Sequence, residues 1–257
     1  MIVKPDTALV GRLHPSPNFE PRRGTGQPDM LLLHYTGLMS CEKAIDWLSR
    51  PESKVSCHYV VDEAGAITQM VAEEMRAWHA GVASWAGETD INSASVGIEI
   101  HNCGHELGYP DFPEAQLVAL EALSKDIIAR HGIRPERVLA HSDVAPMRKK
   151  DPGEKFPWAR LARSGIGHWV APEMLNPADP GIAHDAAGPL VAEVQGKLRE
   201  YGYGIEATGV LDALTEFVVL AFQRHFRPER ADGRIDQSTI STLERLIAAL
   251  PAKPRTA

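Results

Sequence analysis

An α/β domain followed by a small helical module is the architecture the sequence predicts, and three observations carry that expectation. Short apolar runs alternate with helical patterns over residues 1–170. A stretch rich in Pro, Ala, Gly and Asp then occupies residues 171–189, where Pro172, Pro177, Pro180 and Pro189 oppose helix and strand alike. Three helical patterns follow it. The chain is 257 residues long, enough for both units, so the expected division is a catalytic-sized domain at 1–170, a linker at 171–189 and a three-helix module at 190–257.

The runs Met30–Tyr35, Ser95–Ile100 and Val138–Ala140 are too short for helices and read as buried strands. Tyr59–Val61 and Ala66–Val71, joined by Asp62-Glu63-Ala64-Gly65, read as a hairpin, which makes the expected central β-sheet a mixed one. Helices are expected to cover it. Ser40 is placed to cap Cys41–Leu48, and Pro113–His131 carries Leu117, Leu120, Ile127 and Ile128 before Gly132 closes it. In the C-terminal part, Leu190–Tyr201, Asp212–Arg227 and Asp236–Leu250 have helical character. The last two open alike, with Gly209-Val210-Leu211-Asp212 and Gly233-Arg234-Ile235-Asp236 each giving a turn, an apolar anchor and a capping Asp.

Bulk properties exclude several functions. Apolar residues make up 44% and charged residues 24%, so a core can form and general disorder is excluded. A formal charge of -7 without a Lys/Arg block argues against nucleic acid as a partner. No run of apolar residues is long enough to span a membrane. Cys41, Cys57 and Cys103 contain no CxxC pair and read as reduced thiols. The N-terminal stretch has no apolar leader and is broken by Pro5, Pro15 and Pro17, so the expected compartment is the cytoplasm, or the periplasm or envelope if a leader was removed.

Each apolar strand ends on a group that can ligate metal or move protons: Leu33-His34, Ile98-Glu99 and Ala140-His141. Parallel strands would bring those ends to one sheet edge. Val96, Ile98 and Ile100 share one strand face, leaving Gly97, Glu99 and His101 on the other. Downstream, Pro152 biases Asp151 toward an extended backbone, and an extended approach would put Lys149 on its side with Arg148 and Lys150 pointing away. Two histidines and a carboxylate, His34, His141 and Asp151, make a catalytic zinc set with a position left for water or substrate. Glu99 would then act as the base and Lys149 as the oxyanion stabiliser. On spacing alone this stands beside a solvent-reaching Glu99 and ordinary histidines. His101 and His105 have i, i+4 spacing, but Asn102 and Gly104 between them fit a helix poorly.

Five ordered motifs carry a resemblance: Leu33-His34-Tyr35-Thr36, Ser56-Cys57-His58-Tyr59-Val60-Val61, Ala77-Trp78-His79-Ala80-Gly81, Ser95–Ile100, and His141-Ser142-Asp143 through Asp151-Pro152-Gly153. Over about residues 15–165 the chain resembles the type-2 N-acetylmuramoyl-L-alanine amidases, the AmpD and AmiD group, which share the fold of peptidoglycan-recognition proteins. The resemblance implies one zinc ion per chain on His34, His141 and Asp151, catalysis by Glu99 and Lys149, and a substrate groove lined by Tyr59, Trp78 and His79. It implies hydrolysis of the amide between N-acetylmuramic, or 1,6-anhydro-N-acetylmuramic, acid and L-alanine, with peptidoglycan fragments or muropeptides as partners. Alternatives on the same fold are a non-catalytic peptidoglycan receptor and a zinc peptidase of the stem peptide. Val194–Leu198, Phe222-Gln223-Arg224 and Asp232–Ile235 resemble a three-helix peptidoglycan-binding module. Relatives with such a tail are typically exported, whereas cytosolic recycling enzymes of the group usually lack it.

Overall fold

The computed structural model describes residues 4–251; the outermost residues of the two expected domains, 1–3 and 252–257, lie outside it. Its strands are β1 (Arg12–Leu13), β2 (Phe19–Pro21), β3 (Met30–Tyr35), β4 (Tyr59–Val61), β5 (Ile67–Gln69), β6 (Met75–Ala77), β7 (Ser95–Ile100) and β8 (Val138–Ala140). Its helices are α1 (Cys41–Leu48), α2 (Ile91–Ala94), α3 (Glu114–His131), α4 (His141–Val144), α5 (Trp158–Arg163), α6 (Pro189–Tyr201), α7 (Ala213–Phe226) and α8 (Gln237–Ala248).

Six strands form one mixed sheet in the order β1-β5-β4-β7-β3-β8, and β2 pairs with β6 separately. From β4 to β8 the neighbours run parallel, while β5 is antiparallel to β4 as the hairpin predicted. Asp62 stabilises that hairpin by accepting the Ala64 and Ala66 amides on Oδ1, at 2.9 and 2.7 Å. Ser40 caps α1, and Gly132 ends α3 at φ 64°, a backbone conformation that favours glycine.

Strand alternation divides the core into two faces. Leu31, Leu33, Val96 and Ile98 pack with Leu120, Leu123 and Ile127 of α3 and with Trp158 and Leu161 of α5. Met30, Leu32 and Leu139 point to the opposite face, in one apolar cluster with Val191, Leu198, Phe222 and Leu243 of the C-terminal helices. Each fully buried leucine contributes about 1.5–3 kcal/mol. The C-terminal helices are thus packed into the core of the α/β domain.

Residues 171–188 form no helix or strand, as expected, yet they are pinned to the body through bridges Ile182↔Ile235 and Ala187↔Val210. Pro189 is the first residue of α6 rather than the last of a linker, because proline at a helix start loses no hydrogen bond and has a suitable φ. The repeated Gly-x-x-Asp motifs repeat their chemistry as well. Asp212 accepts the Thr215 amide at 2.9 Å, and Asp236 accepts that of Thr239 at 2.6 Å. A buried glutamine clamps each turn: Gln195 accepts the Gly209 amide and Gln223 the Gly233 amide, both at 2.8 Å.

Buried His58 makes stability depend on pH. Its Nδ1 accepts the Gly97 amide at 2.9 Å, its Nε2 donates to the Met75 carbonyl at 3.0 Å, and the Arg22 guanidinium lies beside it. Burial, and then the Arg22 charge, pushes its pKa down to about 3. The unfolded chain takes up this proton below about pH 6.5, so stability is fully present above that pH. It is lost as pH falls toward 3, by up to about 1.4 kcal/mol per unit. Urea midpoints at pH 7, 6 and 5, measured with chelator present, should fall less steeply for His58→Gln than for wild type; identical slopes would refute the assignment.

Candidate metal centre and cleft

The parallel register brings the three predicted strand ends together. His34 of β3 is the pairing partner of Glu99 of β7, and Leu33 pairs with Ala140, directly before His141. Asp151 arrives from a turn after α4: the Arg148 and Lys149 amides both donate to the Ala145 carbonyl at 3.0 Å, and the Ser142 amide donates to the Asp151 carbonyl at 3.0 Å. The approach is therefore folded back rather than extended, and Arg148 and Lys150 line the cleft along with Lys149 instead of pointing away. The Asp151–Pro152 peptide bond is cis.

His34, His141 and Asp151 are all buried, and their ligand atoms lie within 4.8 Å of one another. The two Nδ1 atoms are 2.8 Å apart, and Asp151 Oδ2 is 3.2 Å from the first and 2.9 Å from the second. The outer nitrogens determine where the protons sit. His141 Nε2 lies 3.1 Å from the Ala80 carbonyl, which only accepts, so Nε2 carries the proton and Nδ1 is bare. On His34 the proton is placed by His79. The Ser95 hydroxyl donates to the Ile91 carbonyl at 2.5 Å, so at 3.4 Å it accepts from His79 Nε2. His79 Nδ1 is then bare and accepts from His34 Nε2 at 3.1 Å. Burial and the neighbouring His141 push the His34 pKa down to about 4, which keeps the ring neutral near pH 7.

Two bare imidazole nitrogens and a carboxylate oxygen thus converge with no proton to share, an arrangement that repels itself unless a cation sits among them. The three atoms are close enough together for one ion with bonds of about 2.0–2.1 Å to reach all of them. His101 and His105 join no such cluster among the described residues. His101 pairs with Thr36 and Glu63, and His105 with Tyr35 and Glu154.

The cleft above the metal ligands has a volume of about 410 Å³ and is lined by Glu99, His141, Asp151, Lys149 and Trp78, among others. Glu99 Oε2 is screened from solvent and has no hydrogen-bond partner. Burial, followed by the charge of Asp151, pushes its pKa well above the carboxylate range, with Lys149 opposing. An unpartnered carboxyl group and the half-buried Lys149 therefore both line the cleft that holds the metal ligands.

Of the three residues expected to line the groove, Trp78 and His79 line the cleft, Trp78 half-buried in its wall and His79 buried at its floor. Tyr59 is a correction. It is 0% exposed, packs in the apolar cluster on the α3 side, and donates its hydroxyl to Glu73 at 2.5 Å. The reason is register: Tyr59 pairs with Ile98, whose side chain also points to that face. His79, at the buried floor, also has both ring nitrogens occupied, by His34 and Ser95. Its ring rests on β7 so closely that a Cβ built at Gly97 would lie 2.6 Å from it, so glycine is required there. Trp47 was not foreseen. It is 45% exposed and lines the cleft with Leu38 and Val55, an orientation that the helical pattern of α1 does not reveal.

Residues 24–154 match the family described as N-acetylmuramoyl-L-alanine amidase, and residues 187–243 match a putative peptidoglycan binding domain. N-acetylmuramoyl-L-alanine amidase AmiD of Escherichia coli K12 is 37% identical over 230 residues, covering 85% of this chain and 82% of that one. The chain belongs to the N-acetylmuramoyl-L-alanine amidase family. A solved complex of E. coli AmiD with anhydro-N-acetylmuramic acid-L-Ala-D-gamma-Glu-L-Lys superposes with a TM-score of 0.75 at 35% identity, over 86% of this chain and 89% of that one. The 1,6-anhydro-N-acetylmuramyl-L-alanine amidase AmpD of Citrobacter freundii is 32% identical over 57% of this amidase chain and 86% of its own.

Proposed function

We propose that this amidase uses one zinc ion, on His34, His141 and Asp151, to hydrolyse the amide between N-acetylmuramic or 1,6-anhydro-N-acetylmuramic acid and L-alanine in muropeptides. The observation that carries the reading is the convergence of three proton-free acceptor atoms at the floor of a cleft that also presents Glu99 and Lys149. When bound there, zinc lowers the pKa of a water to about 7 and polarises a carbonyl. The charge of a bound zinc ion would favour the ionised form of Glu99, which takes the proton of the attacking water and returns it to the departing amine of L-alanine. Lys149 stabilises the charge that develops on the amide oxygen. The ordered apolar floor beneath Glu99, with Ile98 and Ile100 fully buried on the other face, holds its carboxylate in place.

Purified protein incubated with a muropeptide should release the intact stem peptide with a free L-alanine amine, and a chelator should stop the release until zinc is restored. Mass spectra decide the bond: cleavage inside the peptide would make the protein a stem peptidase, and no cleavage with metal bound would make it a receptor.

The cleft lining is bipolar. Trp47, Val55 and Leu38 are apolar, whereas Arg148, Lys149 and Lys150 are cationic, with Lys150 paired to Glu106 and Arg148 held by the Ala80 and Val82 carbonyls. A muropeptide is bipolar in the same way, with sugar C–H faces that pack on an indole and a stem peptide bearing carboxylates. The sugar is assigned to Trp47 and the acidic peptide to the cations. Trp47→Ala should raise KM about tenfold, roughly 1.4 kcal/mol of lost contact, with kcat little changed. Steady-state kinetics showing an unaltered KM would remove Trp47 from the substrate site.

A further inference from the structure

The C-terminal helices reach the metal centre through one carboxylate. Asp143 stands two residues after His141 on α4 and is 1% exposed. Its Oδ2 accepts the Ala140 amide at 2.8 Å and His225 Nδ1 at 2.7 Å, while its Oδ1 accepts the Tyr203 hydroxyl at 2.8 Å. His225 belongs to α7, and Tyr203 follows α6. Packing leaves neither side chain free to move. The His225 ring stacks on Trp158 with centroids 3.7 Å apart and on Phe226 at 3.8 Å, and Tyr203 meets Trp85 edge-on at 4.8 Å.

The element they hold is mechanically important. Helix α4 has four residues, too few to be stable by itself. It carries His141 directly, and its Ser142 amide grips the Asp151 carbonyl, so two of the three ligands depend on where α4 lies. A buried carboxylate must be paired to remain where it is. Two of the three donors that pair Asp143 come from the C-terminal helices.

We propose that His225 and Tyr203 are positioning residues for the metal, which makes the C-terminal helices a working part of the metal centre in addition to any contact they make with the cell wall. This inference rests on the zinc reading of His34, His141 and Asp151. Loss of either donor leaves part of the Asp143 charge unpaired, and α4 shifts to find other partners. Metal ligands tolerate only about 0.5 Å of such movement.

The test uses the full chain with His225→Phe and Tyr203→Phe, singly and combined, because phenylalanine keeps the ring packing and removes only the donor. Leu246→Ala serves as a packing control, since Leu246 is fully buried in α8, whose main partner is α6. Zinc affinity is measured by competition with a chromophoric chelator, and unfolding midpoints are measured with the metal removed. The double variant should lose at least about tenfold in zinc affinity, while Leu246→Ala should lower the metal-free midpoint and leave zinc affinity unchanged. If the double variant does not fold, Tyr203→Phe alone decides, with a smaller loss in the same direction. Wild-type affinity in the phenylalanine variants would overturn the proposal, as would an equal loss in Leu246→Ala. A wild-type chain that binds no zinc would instead overturn the metal reading itself.

Discussion

Replacing Glu99 by glutamine should lower kcat by roughly a thousandfold, within the range of about 10²–10⁴ for general acid–base groups, and leave zinc content unchanged. The expectation follows from three features of the position. Glu99 is paired in register with His34, which places its side chain on the metal side of the sheet. Its Oε2 has no partner, so no structural hydrogen bond is lost when the charge is removed. It lies outside the cluster of ligand atoms formed by His34, His141 and Asp151. Glutamine preserves volume and polarity and removes only the ability to carry a proton. Steady-state kinetics and metal analysis on the same preparation separate the outcomes. Zinc lost along with activity would make Glu99 a ligand, and retained turnover would remove it from the chemistry.

His34→Ala should abolish both zinc binding at stoichiometric metal and muropeptide cleavage. The two ligands left behind cannot fill a site that closes on three, and deleting one member of a buried charged cluster leaves the others uncompensated. His79→Ala is the graded companion. It keeps all three ligands but breaks the hydrogen bond that holds the His34 proton on Nε2, and should weaken zinc binding by about 10–100-fold. Metal-linked stability gives a second reading of both variants. Zinc at about 1,000 times its dissociation constant should stabilise wild type by about 4 kcal/mol, His79→Ala by less at the same concentration, and His34→Ala not at all. Thermal unfolding with and without zinc measures this. If zinc stabilises His34→Ala as it does wild type, the metal does not sit where His34, His141 and Asp151 meet.

The legible parts of this protein are those governed by neighbours in the chain. Apolar runs located β3, β7 and β8, and the alternation along β7 put Glu99 opposite Val96, Ile98 and Ile100. Asp212 and Asp236 announced α7 and α8, because a capping side chain bonds an amide three residues away. The family motifs added the ligand set to what spacing had left open. Tyr59 was misplaced because a motif names a residue without giving its side of the sheet, which here depends on pairing with Ile98. Arg148 and Lys150 were turned the wrong way because an extended approach to Asp151 was assumed where the Ala145 carbonyl builds a turn.

By itself, then, the sequence determined β3, β4, β5, β7 and β8 but not the short β1, β2 and β6, together with the caps of α1, α7 and α8 and the identity of the three converging acceptors, since each depends on local periodicity, local hydrogen bonding or a motif. Only the tertiary structure decided which imidazole nitrogens are bare, that Gly97 makes room for His79, that Trp47 faces the cleft, and that Asp143 is held by residues 60 and 82 positions further along the chain. The physical reason is the same in each case. A proton's location, a side chain's facing and the pairing of a buried charge are set by atoms that meet only after the chain has folded, and no local pattern records which atoms those are.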